Sequence, residues 1–360
     1  MGSLKIGVVM DPVDKIDIGK DTTFVLMLEA QQRGHEIYFM ELDDLFVRGG
    51  TPEARYRRLE LARAKPHYRL SQFKTGALDD FDSVWMRKDP PFDIKFFFAT
   101  HLLSLIDQSK CFVMNDPKGL REANEKLYAL RFPEQIPQTL VASDMERLKT
   151  FMGDLGGEMI IKPLDGSGGS GVFHLRDQDR NTNAILEAAT DNGRRLVMAQ
   201  RYLPEIRQGD KRIITLNGEP LGAVLRVPLE SETRGNIHVG AQCVKTEVTA
   251  RDREICAALA PLMRADGLYF VGLDVIGSFL TEVNVTSPTG IQEVNALNGV
   301  RLECQVVDFV EQQVENLARN WQAAEKDSYS SLRSIRRATT YWLRTPPLVE
   351  LSRALPLRSF

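Results

Sequence analysis

Short apolar runs alternate with amphipathic stretches along most of the chain. Leu4 to Asp11 is an apolar run closed by an acid and Pro12, which predicts a buried strand. A helical pattern runs from Thr22 or Thr23 to Gln32 and stops at Gly34, and His35 to Leu42 predicts a second strand. This β-α-β opening predicts an α/β domain. Residues 43–80 are polar and weakly periodic. Phe81 to Met86 predicts a strand, Ile94 to Ile106 an apolar helix and Cys111 to Asn115 a short strand. Asp116-Pro117 starts a helix predicted to reach Leu130, with proline fitting its first turn and Lys126 on it.

A second set of elements begins near Thr139. It comprises a helix from Asp144 to Gly153, a strand at Met159 to Lys162, a strand at Val172 to Arg176, and a helix from Thr182 to Asn192. A buried strand then opens into Gln200-Arg-Tyr-Leu203, a pattern that suits a hinge whose backbone, with Gln200, reads an adenine edge. Asp210 to Leu216 and Leu221 to Val227 flank Asn217-Gly218 as a hairpin. Residues 228–244 are polar and glycine-bearing and predict a mobile flap carrying Arg234 and Asn236. A helix from Ala250 to Asp266, a hairpin over Phe270 to Pro288 and a helix from Gly299 to Leu317 complete the pattern. Residues 326–360 hold seven Lys/Arg against Asp327 and Glu350, and predict a loosely packed or disordered basic tail.

The chemistry concentrates in the 270–288 hairpin. Asp274, Glu282 and Asn284 interrupt its apolar runs, and Glu282 and Asn284, two apart, share one strand face. A two-residue loop would set Asp274 opposite Thr281. A three-residue loop (Gly277, Ser278, Phe279) pairs Ile276 with Leu280 and Asp274 with Glu282, and is the preferred reading. On that register two carboxylates and an amide oxygen converge. Such oxygens suit Mg²⁺ or Mn²⁺ rather than a soft metal, and Mg²⁺ held by few protein groups shares its shell with phosphate, so the patch implies a nucleotide.

Two further features agree. Gly166 to Gly171, with Gly168 and Gly169 inside it, satisfies Gly-x-Gly-x-x-Gly, but a strand follows rather than a helix, which argues against a Rossmann turn. A glycine loop between antiparallel strands instead predicts a phosphate lid, with Lys162 in reach of the same anion. Arg212 and Arg226 lie inside apolar strands, where a guanidinium is costly unless paired or bound to an anion. The cluster Arg87-Lys-Asp-Pro-Pro at a strand end predicts a ligand-contacting loop. The bland alternatives are salt bridges for the arginines, a solvated turn for the prolines and a flexible hairpin for the glycines.

Composition narrows the class. With 360 residues, 43% hydrophobic and 26% charged, the chain has room for two or three soluble domains. A net charge of −3 argues against a nucleic-acid partner, and no apolar run is long enough for a bilayer. The four cysteines are scattered, without a Cys-x-x-Cys pair, and predict reduced thiols in the cytoplasm. No Ser-His-Asp or Cys-His constellation stands out.

Taken together, Met-Asp-Pro at 10–12, Met-Arg-Lys-Asp-Pro-Pro-Phe at 86–92, Asn-Glu-Lys at 124–126, Lys-Pro-Leu-Asp-Gly-x-Gly-Gly at 162–169, Gly-Asp-Lys-Arg at 209–212, Glu-Thr-Arg-Gly-Asn at 232–236 and the 271–288 hairpin resemble bacterial glutathione synthetase, of the ATP-grasp superfamily. The resemblance runs to about residue 315 and does not cover the tail. It implies a Rossmann-like (pre-ATP-grasp) α/β domain over 1–122, followed by a two-lobed ATP-grasp domain, small lobe 123–199 and large lobe 200–318, with the basic tail at 319–360. It implies ligation of γ-glutamylcysteine and glycine with ATP as co-substrate and two Mg²⁺ or Mn²⁺ ions, in a homotetramer. By motif position, Lys126 and Lys162 hold phosphates; Gln200, Tyr202, Leu203 and Asp210 contact the nucleotide; Arg212 and Arg226 face the transferring group. Asp274, Glu282 and Asn284 take metal, and Asp11, Arg87, Asp89, Arg234 and Asn236 the peptide substrate. A D-alanine–D-alanine-type ligase would share the metal and phosphate parts but not the 86–92 and 232–236 motifs. A non-catalytic ATP sensor would bind nucleotide without releasing phosphate.

Overall fold

The computed structural model describes residues 2–166, 168–229 and 241–342, with side chains through 323. The first region holds β1 (Lys5–Val9), α1 (Thr22–Gln32), β2 (Glu36–Met40), β3 (Leu45–Arg48), β4 (Thr51–Leu61), β5 (Tyr68–Leu70), β6 (Lys74–Ala77), β7 (Ser83–Met86), α2 (Ile94–Leu103), β8 (Phe112–Met114) and α3 (Pro117–Glu122). Its sheet runs β3-β4-β2-β1-β7-β8, and β2, β1, β7 and β8 are parallel. Those strands are covered on both faces, which is why they read as continuous apolar runs. α1 is started by Asp21, whose carboxylate accepts from Phe24 N.

Residues 43–80, weakly periodic in sequence, form four strands. β4 turns Pro52, Ala54, Leu59 and Leu61 inward and pairs with β2, β3, β5 and β6, with β3 and β6 on opposite edges where both meet Glu53 and Ala54 and with β2 and β5 on opposite edges at Leu59. The helix predicted to run to Leu130 ends at Glu122, so Lys126 lies on a connection rather than on a helix. Asn124 breaks it: its side-chain oxygen accepts from the backbone N–H groups of Lys126 (3.1 Å) and Leu127 (3.0 Å), an alternative to helical bonding.

The second region is an antiparallel sheet, β11-β10-β12-β9, built from β9 (Thr139–Ala142), α4 (Met145–Asp154), β10 (Glu158–Pro163), β11 (Phe173–Arg176), α5 (Thr182–Thr190) and β12 (Val197–Arg201). Leu148 and Met152 of α4 and Leu186 of α5 close a core of its own against Met159, Ile161, Leu175 and Val197.

The third region contains β13 (Asp210–Leu216), β14 (Glu219–Val227), β15 (Gln242–Lys245), α6 (Ala250–Ala265), β16 (Phe270–Ile276), β17 (Phe279–Asn284), α7 (Ile291–Asn298) and α8 (Leu302–Trp342). Its antiparallel sheet runs β15-β14-β13-β16-β17. Asn217 and Gly218, both at positive φ (51° and 81°), form the two-residue turn between β13 and β14. One hydrophobic core joins this sheet to the first, with Val9, Val84 and Val113 in the same cluster as Ile213, Val271 and Val283. Asn115 stitches them: its amide donates to Phe270 O (2.8 Å) and Val285 O (3.0 Å), and its oxygen accepts from Phe270 N (2.8 Å).

Two helical expectations change. α7 occupies residues to which the sequence pattern assigns no element, and α8 runs past the predicted end at Leu317 to Trp342, so residues 319–342 carry a helical backbone instead of a structureless tail. Residues 315–360 cluster as a unit separate from 1–314. Among the described residues, no helix is long and apolar enough to cross a membrane.

Candidate active site

The β16–β17 hairpin reaches the expected pairing by an unexpected route. Ile276 pairs with Phe279 across a two-residue turn, Gly277-Ser278, with Gly277 at φ 59°. The three-residue loop is therefore incorrect. A bulge then inserts Thr281, whose hydroxyl donates to Asp274 O at 3.1 Å, and this extra residue restores Asp274 opposite Glu282. Asn284 lies opposite Gly272. Asp274, Glu282 and Asn284 thus share one face.

Asp274 is deeply held. Arg212 grips it with two bonds, Nε to Oδ1 at 2.5 Å and Nη2 to Oδ2 at 3.0 Å, and Arg226 Nη2 lies 3.0 Å from the same Oδ2. Asn284 Nδ2 donates to Oδ2 at 3.2 Å. Burial alone would raise this carboxyl, but the two guanidinium groups outweigh it and hold it well below the usual range. Asp210 completes the group: Arg226 Nη2 donates to its Oδ2 at 2.5 Å, while burial pushes Asp210 up to about 6 against the pull of that arginine. Among the described residues, Asp210 Oδ1 and Arg226 Nε are buried without a hydrogen-bond partner. Salt bridging therefore explains much of why two arginines tolerate apolar strands. It leaves a donor and an acceptor unused, as expected where a further polar group docks.

Gly272 makes the grip fit. A Cβ there would sit 3.1 Å from Arg212 Cδ and 3.3 Å from its Nε, so the arginine stem lies across bare backbone on its way to Asp274.

Two lysines approach from the other side. Lys126 Nζ sits 2.9 Å from Glu282 Oε1 and donates to Gly166 O at 2.6 Å. Lys162 Nζ donates to Thr281 O at 3.0 Å. Burial, with Lys126 nearby, lowers the Lys162 ammonium to about 8 despite the attraction of Glu282. β10 and β11 are antiparallel on either side of the glycine stretch, as predicted.

One cleft collects these groups. Lys126, Lys162, Gly166, Gly168 and Gly169 line it, as do Gln200, Tyr202, Leu203, Asp210, Asp274 and Glu282. Ile160, Val172, Ile206 and Ile276 supply an apolar wall suited to a flat ring. Gln200 donates to Thr139 Oγ1 at 3.0 Å, and Tyr202 stacks on His174 with centroids 3.9 Å apart.

The 86–92 cluster lies at the end of β7. Arg87 is buried, donating from Nε to Thr23 Oγ1 (3.0 Å) and from Nη2 to Pro288 O (3.0 Å), the latter just beyond the β16–β17 hairpin. Burial lowers it to about 10. Asp11 accepts from Asp89 N (2.9 Å) and pairs with Lys88 Nζ (2.9 Å). Arg234 and Asn236 lie outside the described residues.

Sequence reasoning missed two carboxylates. Burial pushes Asp21 up to about 6, with Arg87 opposing. Burial and neighbouring Glu282 push Glu125 up to about 7, and its oxygen accepts from Thr286 Oγ1 at 3.2 Å. Asp21 was hidden as a helix cap, and Glu125 by the helix wrongly extended through it.

A cleft between two antiparallel sheets, with lysines beneath a glycine loop and carboxylates on a neighbouring hairpin, defines an ATP-grasp ligase. Solved structures of that class share the fold: the ATP-grasp ligase PsnB with its minimal precursor has a TM-score of 0.59 at 16% identity, covering 87% of this chain and all (100%) of its own. D-cycloserine synthetase DcsG gives 0.59 at 14% identity, covering 87% and 99%. Family models narrow the class. The prokaryotic glutathione synthetase N-terminal domain matches residues 4–121 and the prokaryotic glutathione synthetase ATP-grasp domain residues 125–299. The glutathione synthetases of Gloeobacter violaceus and Synechococcus elongatus are 48% and 47% identical to it, over 88% and 86% of this chain and 100% and 98% of theirs. The chain belongs to the prokaryotic glutathione synthetase family and carries that family's activity, an ATP-dependent ligation.

Proposed function

We propose that the chain activates the cysteinyl carboxylate of γ-glutamylcysteine with ATP and joins it to glycine, through an acyl phosphate. Lys126 and Lys162 line one cleft with Asp274 and Glu282, and Arg212, Arg226 and Asn284 meet it through Asp274; that arrangement carries the reading.

A carboxylate oxygen is a poor leaving group. In the proposed reaction the γ-phosphorus–oxygen bond to ADP breaks as a new bond forms to the cysteinyl carboxylate. The glycine amine, having lost a proton, then attacks the carbonyl carbon, and phosphate leaves with the carbon–oxygen bond. No protein nucleophile is required, so the enzyme's work is positioning and charge compensation. Lys162 and Lys126 compensate the polyphosphate. Arg212 and Arg226 orient the transferring group, themselves oriented by Asp274 and Asp210. Gln200, Tyr202 and Leu203 hold the base. Asp11, Arg87 and Asp89 contact the dipeptide.

The donor set fits divalent cations. Carboxylate and amide oxygens are what Mg²⁺ or Mn²⁺ takes, and the Glu282 side chain, 20% exposed, is reachable. Glu282 and Asn284 would hold the ions, two in number, with Asp274, its oxygens held by Arg212 and Arg226, beside them as the third member of the patch. Bound there, such ions neutralise phosphate charge and polarise the transferring phosphoryl group. The exposed apolar side chains Ile94 and Phe98 of α2, and Leu105 just past its end, at 66%, 58% and 50%, support self-association and so the homotetramer.

Phosphate release tests the reading: γ-glutamylcysteine as the acid, with glycine, β-alanine or no amine. Release should require an amine and be fastest with glycine. Equal release without an amine would leave an ATPase.

A further inference from the structure

Lys126 links the two halves of the cleft. Its ammonium lies 2.9 Å from Glu282 on β17 and 2.6 Å from Gly166 O in the glycine loop, and its side chain is only 4% exposed. Its neighbours fix it from both sides. The Asn124 amide donates to Leu164 O at 3.0 Å, at the start of the glycine stretch. Glu125 O accepts from Val283 N at 2.8 Å, which pins the strap to the strand that carries Glu282. Lys126 therefore occupies the same carboxylate that a divalent cation would use.

An ammonium and a divalent cation compete for the one negative charge of that carboxylate. A metal ion taking Glu282 alone would strand a buried ammonium without a counter-charge, which is strongly unfavourable. Phosphate oxygens arriving together with the metal give the lysine a new partner.

We propose that Lys126 is a latch. It holds Glu282 and the glycine loop together until a metal–polyphosphate complex exchanges for it, so the site takes the divalent cation with the nucleotide and takes the free cation poorly. This rests on the reading of Glu282 as a metal ligand given above. Metal and nucleotide then enhance each other's affinity by one common factor, which for coupled sites is typically about 5- to 150-fold.

The test measures Mn²⁺ binding by electron paramagnetic resonance, with and without a non-hydrolysable ATP analogue, and needs no turnover. Wild type should bind Mn²⁺ at least about tenfold tighter with the analogue than without it. Lys126→Met should bind Mn²⁺ alone at least about tenfold tighter than wild type, and the analogue should then add less than about threefold. Lys162→Met is the charge control. It removes a cation that Glu282 also attracts but whose ammonium bonds a backbone carbonyl, Thr281 O, rather than the carboxylate, so free Mn²⁺ affinity should rise clearly less than in Lys126→Met. The latch is overturned if Lys126→Met binds free Mn²⁺ no tighter than wild type, or if Lys162→Met tightens it equally. Lys126→Gln, which keeps a donor for Gly166 O, repeats the measurement if Lys126→Met does not fold. Wild type that binds no Mn²⁺ even with the analogue would refute the metal reading itself, a different result from a failed latch.

Discussion

Gly272→Ala probes the reaction centre without touching any charged group. The added Cβ would lie 3.1 Å from Arg212 Cδ, 3.3 Å from Arg212 Nε and 3.0 Å from Pro288 Cβ. Carbon contacts ordinarily settle at about 3.5–4.0 Å, so the arginine stem must withdraw by about 0.5 Å. Its Nη2–Oδ2 bond to Asp274, now 3.0 Å, then stretches to about 3.5 Å, where a hydrogen bond ends. Pro288 cannot yield freely on the other side, because its carbonyl accepts from Arg87. Overpacking of this kind costs about 1–3 kcal/mol of stability. Losing an oriented donor outright costs about 10²- to 10³-fold in rate, so a half-ångström displacement should lower kcat by about 10- to 100-fold. Thermal melting and steady-state phosphate release, run side by side, check both numbers, and kcat should fall by more than KM for ATP rises. Gly153→Ala serves as control, since its Cβ would meet nothing within 4 Å. A Gly272→Ala enzyme with wild-type kcat and melting temperature would refute the idea that Arg212 needs bare backbone to reach Asp274.

Glu282→Ala should cut turnover by at least about 10³-fold with circular dichroism unchanged, and full activity at saturating Mg²⁺ would remove it as a ligand. Lys162, lowered to about 8, is cationic below that pH and neutral above it. The kcat/KM for ATP should therefore fall as pH rises through about 8, and Lys162→Arg should flatten that fall; a wild-type profile level to high pH contradicts the assignment. Removing residues 326–360 should leave kcat within about twofold, and an inactive truncation would give the basic segment a role in the reaction.

The parts legible in the sequence were those whose chemistry is local. Asp274, Glu282 and Asn284 announce a polar face in an apolar hairpin, and the glycine run marks the connection between the antiparallel strands β10 and β11. Turn length was not legible, because the bulge at Thr281 shifts the register by one residue after the turn and a period-two pattern cannot distinguish the two causes. β4 was obscured because arginines and glutamates fill its outward positions and only Pro52, Ala54, Leu59 and Leu61 mark the inner face. Asn124 ended a helix by a side-chain bond that helix periodicity ignores. The grip of Arg212 and Arg226 on one carboxylate depends on three strands meeting, β14, β13 and β16, which only the folded sheet brings together.

The first and third sheets share one core and are riveted by Asn115, whereas the sheet bearing the glycine stretch keeps a separate core. Mechanically the catalytic region is a jaw working against an anvil. The anvil, carrying the arginines, the hairpin and the 86–92 loop, keeps its internal distances whatever the jaw does. A displacement of the small sheet alone would leave the spacing of Arg212, Arg226 and the β16–β17 hairpin as it is.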